Sequence, residues 1–299
     1  MRAVKPLCKL CQNSDDLRHS HILPRFLGKY LKSTSATGFL MAVDAEGKSG
    51  RSQDLYKRKL LCGSCESVLN KTETFFANTV FYPFKQGNLK AIPLDDRLGK
   101  FAVSVSLRAL WIKQLEGDPL IEKWKNTLGA LENEWRNYLL GSPDFIKGKN
   151  SHHILLCDEA LLAQGLRASP NLILHIMRSS AYYLFDKFEK AYVFANLAGV
   201  QVISMIHPPE LPVSQGMQVY PDQTFGVVRP AGIGWGGYFQ NLLELAHTFD
   251  TASGRLSDVQ KERIERTIKR DPERAAKSED ARILTKQHEL RRRFQDEAE

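Results

Sequence analysis

Four of the five cysteines fall in two close pairs, Cys8-x-x-Cys11 and Cys62-x-x-Cys65. Two such knuckles, brought together by a fold, present four thiolates at the spacing of a tetrahedral structural zinc site. Between them lies Ser20-His21-Ile22-Leu23-Pro24, and Glu66 directly follows the last cysteine. An imidazole exchanges protons near neutral pH, and a carboxylate is a hard oxygen ligand suited to Mg²⁺ or Mn²⁺. On a helix, Glu66, Asn70 and Glu73 recur at i, i+4 and i+7 and share a face that could hold such an ion. A glutamate in a first helical turn is also stabilised by the helix macrodipole alone, with no functional role.

Charge is concentrated beside these residues. The chain has 299 residues and a net charge of +8; residues 1–100 hold 17 Lys/Arg against 9 Asp/Glu, residues 101–253 hold 12 against 14, and residues 254–299 hold 13 against 11. The excess includes Lys57-Arg58-Lys59, just before the second knuckle. Clustered cations of this kind attract a polyanion through phosphate contacts and counterion release, although a solvated basic face has the same composition. No run of about 18 apolar residues appears, and the N-terminal residues lack the apolar core of a secretory signal. Paired cysteines without a disulfide framework fit a reducing compartment, so a soluble cytoplasmic protein with no membrane partner is expected. Cys157, in the apolar run Ile154–Cys157, is expected in the core.

The elements that must position these groups are legible in outline. The Gly- and Ser-rich stretch from Gly38 to Ser52 predicts a hairpin or loop inserted between the knuckles. Residues 66–77 contain no Gly or Pro and predict a helix starting at the second knuckle, the treble-clef arrangement. Arg97–Glu116 is apolar on nearly every side and predicts a buried helix, ended by Gly117-Asp118-Pro119. Leu120, Trp124, Leu128, Leu131, Trp135 and Tyr138 then mark an amphipathic helix, completing a helical hairpin whose tryptophans pack in the core. Short β-branched and aromatic runs at 153–157, 172–177, 181–185, 191–195, 200–206 and 224–228 predict an antiparallel sheet of four to six strands. Gly232–Gly237 is glycine-rich but lacks the order of a phosphate loop, and reads as a turn before a helix over 238–249. From Gly254 onward, mixed charge predicts solvated helices broken at Asp271-Pro272, with a weak apolar stripe of Leu256, Val259, Ile264 and Ile268 available for docking.

The order C-x-x-C, S-H-I-x-P, a basic stretch, then L-L-C-x-x-C-E resembles the zinc-bearing branch of the HNH nucleases, the ββα-metal or His-Me finger family. The resemblance covers about residues 5–80. It implies that Cys8, Cys11, Cys62 and Cys65 hold a structural zinc, that His21 is the general base, and that Glu66, where the family has His or Asn, binds a catalytic Mg²⁺ or Mn²⁺ with Asn70 and Glu73 nearby. Arg58 would neutralise the scissile phosphate, and Lys57, Lys59 and His19 would contact nucleic acid. Two positions depart from the pattern. Ser20 stands where the family often has a metal-binding Asp. The Asn that orients the histidine is missing from Tyr56-Lys57-Arg58-Lys59, leaving Asp54 or Lys57 to substitute.

The expected class is therefore α+β. A zinc-bound treble-clef or ββα-metal module spans residues 1–80, an α+β body spans 81–253, and a charged helical tail spans 254–299. The expected activity is metal-dependent endonuclease cleavage of phosphodiester bonds, with DNA as the expected target. By analogy, a head of this kind on another body is similar to effector nucleases of anti-phage defence, in which the body or tail couples cutting to a sensor or other protein partner. The alternatives are a non-catalytic zinc module that binds nucleic acid or a protein, and a scaffold subunit acting through its tail.

Overall fold

The computed structural model describes residues 6–43, 48–90, 92, 96–141, 152–163, 165–187, 189–207, 225–228 and 238–296. The first cysteine knuckle closes as a tight turn: the backbone N–H of Gln12 donates to the Cys8 carbonyl at 2.9 Å, and Gln12 has a positive φ of 62°. The Gln12 side-chain amide donates to the carbonyls of Cys8 and Lys9, tying down a conformation that costs a non-glycine residue energy. Strand β1 (Arg18–His21) pairs antiparallel with β4 (Lys57–Leu61), and the N–H of Lys9 donates to the Leu60 carbonyl at 2.9 Å, docking the knuckle on this ribbon.

Between the two strands lie helix α1 (Arg25–Ser33) and the hairpin β2 (Leu40–Val43) and β3 (Ser49–Ser52), where a hairpin was expected. Helix α2 (Gly63–Phe76) begins at Cys62 and continues through a π-helical turn, Ala77–Phe81, into α3 (Tyr82–Lys85).

Helix α4 (Asp96–Glu116) is the hub. It is buried along most of its length, packs on α2, and crosses the main sheet. Its Phe101 ring stacks on Phe76 of α2 with centroids 3.7 Å apart. The return helix of the hairpin is interrupted. Asp118 caps α5 (Pro119–Lys123), and α6 (Lys125–Leu140) begins after Trp124, whose indole N–H is held by Asp186 at 3.0 Å.

The sheet contains β5 (His152–Leu156), β6 (Ser180–Lys187), β7 (Lys190–Leu197), β8 (Val200–His207) and β9 (Phe225–Val228), in the order β6-β7-β8-β5-β9. Neighbours are antiparallel except β5 and β9, which run parallel. Cys157 is fully buried at the end of β5. After β5 comes the short helix α7 (Glu159–Ala163).

The run at 172–177, expected as a strand, is helix α8 (Leu172–Arg178). Its buried residues, Leu172, Ile173, Ile176 and Met177, fall one helical turn apart, and the side-chain amide of Asn196 on β7 donates to the Ile176 and Ser179 carbonyls at the helix end. Five apolar residues interrupted only by His175 carry no periodicity that separates a buried strand from a buried helix. Gly232–Gly237 lies outside the described residues.

The remaining helices are α9 (Tyr238–Gly254), α10 (Asp258–Arg270), α11 (Pro272–Ala276) and α12 (Glu279–Asp296). The tail is docked rather than solvated throughout. Asp280 pairs with Arg178 at 2.6 Å, Ile283 is fully buried, and the buried Gln287 side chain accepts from the Leu174 N–H at 3.1 Å. The same tail reaches the N-terminal segment, because the Glu279 N–H donates to the Thr34 carbonyl and Asp280 accepts from the Ala36 N–H.

Packing crosses the expected boundaries as well. The π-helical turn spans position 80 and α9 spans position 253. Cys62, Cys65 and Leu69 share a buried cluster with Leu107, Trp111 and Trp135 of the body, so the cysteine module rests on the body's core. Among the described residues, no helix is long and apolar enough to cross a membrane.

Candidate active site and metal centre

The two knuckles converge. The sulfurs of Cys8, Cys11, Cys62 and Cys65 all lie within 4.8 Å of one another, with Cys11 Sγ and Cys62 Sγ 3.9 Å apart. Zinc–thiolate bonds of about 2.3 Å in a tetrahedron place sulfurs about 3.8 Å apart, so this cage fits a zinc ion. Outer contacts already favour negative sulfur: the Cys62 N–H donates to Cys8 Sγ at 3.3 Å, and Ser64 Oγ lies 3.1 Å from Cys62 Sγ. Burial opposes ionisation of the Cys62 thiol, but the Ser64 hydroxyl and the backbone N–H and thiol of Cys65 outweigh it and bring Cys62 down to about 6. Burial and the neighbouring Cys62 and Cys11 push Cys65 well above the usual thiol range. One thiolate therefore forms readily at the expense of its neighbours, and a bound cation removes that conflict.

His21 ends β1, on the ribbon that carries the second knuckle. Its Nε2 lies 3.0 Å from Asp54 Oδ1, and Asp54 Oδ2 lies 2.5 Å from Lys57 Nζ. Asp54 Oδ1 also accepts from the Leu55 N–H at 2.9 Å. Burial alone would raise the Asp54 pKa, but the hydrogen bonds from Lys57 and His21 dominate and hold it at about 2. An ionised carboxylate only accepts, so His21 must donate from Nε2, and the neutral ring carries its lone pair on Nδ1. Nδ1 makes no hydrogen bond among the described residues, and the side chain retains 15% exposure. The arrangement can take a proton from a molecule reaching Nδ1, with Asp54 stabilising the imidazolium that results.

Packing sets the Asp54 position. A methyl group at Gly28 on α1 would lie 2.9 Å from Leu55 Cγ, closer than carbon atoms pack, so glycine allows the helix to approach the Asp54–Leu55 turn. Below the ribbon, Arg108 of α4 donates from Nη1 to the His21 carbonyl at 2.8 Å and from Nε to the Ser104 carbonyl at 3.1 Å, while its Nη2 is ion-paired with Glu73 at 2.6 Å.

This pairing changes the expected roles on α2. Glu73 is buried against Arg108, so it is a structural counter-ion rather than an open ligand. Asn70, one turn beyond Glu66 on the same face, is exposed. Glu66 is half-buried, and its Oε1 is buried without a hydrogen-bond partner among the described residues, as an acceptor available to a cation would be. Among the described residues, the four cysteines form the one group of three or more His, Cys, Asp or Glu side chains close enough to share an ion.

The basic residues also separate. The strand register places His21 opposite Lys57, His19 opposite Lys59, and Ser20 opposite Arg58. Side chains alternate along a strand, so Lys57 shares the face of His21 while Arg58 is turned from it. Arg58 instead donates from Nε to the Tyr56 hydroxyl at 2.5 Å, with its guanidinium 5.3 Å from the ring centre. Of the three basic residues on β4, Lys57 is thus the one directly opposite His21 on its face of the ribbon, and Arg58 is not placed to act beside the imidazole. His19 and Lys59 are exposed, whereas Ser20 is fully buried with no partner for its hydroxyl among the described residues, and burial removes it as an open ligand. Arg108 was missed from the sequence. Its signal was a lone charge between Phe101 and Ile112, the buried middle of the helix.

Compared with models of known protein families, with curated proteins and with solved structures, the chain matches none.

Proposed function

We propose that the protein is a metal-dependent HNH-type endonuclease that hydrolyses phosphodiester bonds, with DNA as its target. The observation that carries this reading is the His21–Asp54 hydrogen bond on a ribbon fastened to a four-cysteine cage. Asp54 takes the orienting role for which the motif offered no Asn. In this reading the cage with α2 is a zinc-held treble clef, and zinc is structural because all four sites of the tetrahedron are filled by sulfur.

His21 Nδ1 accepts a proton from the water that attacks phosphorus. Asp54 fixes the ring and balances its positive charge, and Lys57 holds Asp54 ionised. A catalytic Mg²⁺ or Mn²⁺, when bound, would supply positive charge for the oxygen that leaves phosphorus, and Glu66, with its unpartnered carboxylate oxygen, is the residue of this chain suited to hold it. The effector role in anti-phage defence belongs to the same proposal and rests on analogy with heads of this kind on other bodies.

Cleavage of supercoiled plasmid and of single-stranded DNA by the purified protein in Mg²⁺ or Mn²⁺ tests the reading, and absence of cutting in both ions contradicts it. A second reading, a zinc module that binds nucleic acid or a protein partner without cutting, is favoured by the engagement of Glu73 with Arg108, which leaves Glu66 as the main candidate anion for a catalytic ion. It expects nucleic-acid binding that survives His21→Ala, with no divalent-dependent product.

A further inference from the structure

A basic groove lies where the inserted hairpin meets the charged tail. Arg51 of β3 faces Arg263 and Arg266 of α10 across a cleft of about 250 Å³, floored by Phe39, Met41 and Ile264, and among the described residues no carboxylate lines it. Among the described residues, neither Arg51 nor Arg263 has a carboxylate partner, and Arg266 has only a long contact, 3.8 Å, with Glu262. The other acids of α10 are directed to lysines, Asp258 to Lys261 and Glu265 to Lys269.

The walls are fixed to each other. Ser257 and Gln260 form a capping box at the start of α10, and the Gln260 side chain also donates to the Ser49 carbonyl at 2.7 Å. The buried Ser49 hydroxyl donates to the Ala252 carbonyl at 3.1 Å. Arg51 lies with its guanidinium carbon 4.4 Å from the centre of the Phe39 ring, which presets the plane of its donors.

We infer that this groove binds the sugar–phosphate backbone of the same nucleic-acid strand that reaches His21, a few nucleotides from the bond to be cut. The inference rests on the nuclease reading above for the strand's identity, but its geometry is independent. Arg51 precedes Asp54 by three residues, so their Cα atoms are at most about 11 Å apart along an extended chain. That is about three nucleotide steps at 3.4 Å of duplex rise. Three guanidiniums with no close carboxylate among the described residues, set over an apolar floor, suit a row of phosphates with sugar faces between them, and guanidinium is the side chain best matched to phosphate geometry. The tail would then be part of the substrate surface, which gives a reason for its docking on the N-terminal segment.

The test is binding of a fluorescently labelled DNA duplex, followed by anisotropy across a salt series without divalent ions, for the wild type and for Arg51→Ala/Arg263→Ala. Both side chains are exposed, so the variant should fold and keep its zinc. The expected result is at least tenfold weaker binding at about 0.1 M salt and a log–log salt slope shallower by about 2, one for each lost phosphate contact. Equal binding by the two proteins, or no binding by the wild type, overturns the inference. Equally tight binding of polyglutamate also overturns it, in favour of an acidic polypeptide. Cleavage assayed on the same preparations separates the two claims. A wild type that binds through these arginines but never cuts leaves the groove standing and rejects the nuclease, whereas a wild type that cuts beside an unaltered variant rejects the groove alone.

Discussion

Arg108 holds His21 by its backbone, donating from Nη1 to the His21 carbonyl at 2.8 Å from the middle of the buried helix α4. The same guanidinium is ion-paired with Glu73, so α2, α4 and the end of β1 meet at one buried cation. The His21 ring is thus held from two sides, by Asp54 at its tip and by Arg108 at its root.

Removing either partner of that buried pair should cost far more than a surface ion pair. Arg108→Ala leaves Glu73 as an uncompensated buried anion, and a loss of about 3–5 kcal/mol in urea unfolding is expected. Glu73→Gln should destabilise the fold in the same direction. If either variant unfolds within about 0.5 kcal/mol of wild type, the Arg108 anchor has no energetic role.

The cysteine cage should hold one zinc per chain under reducing conditions. Its ligands belong to a cluster shared with Leu107, Trp111 and Trp135, so chelation should lower the thermal midpoint of the body as well as of the N-terminal segment. Calorimetry before and after chelation checks this. An unchanged unfolding profile, or protein without zinc by elemental analysis, rejects the metal centre.

Asp54 gives a pH signature with a definite sign. Its carboxyl, depressed in the folded state to about 2 from an ordinary 3.8, stabilises the fold fully above the ordinary value and loses that contribution as the pH falls through about 2. The difference in unfolding midpoint between wild type and Asp54→Asn should therefore narrow as the pH falls from about 4 toward 2. A difference that does not narrow between about pH 4 and pH 2 contradicts the depressed Asp54 carboxyl, and with it the His21–Asp54–Lys57 arrangement. The effect should be modest, since the Asp54 side chain is 43% exposed and screened by water.

Glu66 distinguishes structural from catalytic metal. Glu66→Ala should reduce divalent-dependent cleavage by about 100-fold or more, on the scale of removing one electrostatic stabiliser of a reacting oxygen, while zinc content stays unchanged. Cleavage at the wild-type rate removes Glu66 from the site, and loss of zinc shows that it serves the cage instead.

What the sequence disclosed depends on how local each signal was. The knuckles, the helix after Cys65, the inserted hairpin and the buried helix α4 are written in short spacings or long periodic runs, and they appear near their expected places. The helix at Leu172–Arg178 was misread because a short apolar run interrupted only by His175 shows no clear period. The parallel pairing of β5 with β9 and the docking of α12 depend on partners distant in sequence. The site divides the same way: the cysteine spacing is local, and so is the proximity of Asp54 to Lys57. The diversion of Glu73 to Arg108, the turning of Arg58 away from His21 and the burial of Ser20 arise from strand register and from packing on α4, which no local pattern encodes.

The central claim is that His21, held by Asp54, is the proton acceptor of a phosphodiester cleavage. The most direct measurement is plasmid and single-stranded DNA cleavage in Mg²⁺ or Mn²⁺ by wild type, His21→Ala and Asp54→Asn at matched zinc content. The account predicts divalent-dependent cutting by wild type, its loss by at least about 100-fold in His21→Ala, and an intermediate loss in Asp54→Asn, in line with the usual contribution of a general base. Cutting by His21→Ala at the wild-type rate, or no cutting by any of the three, would contradict it.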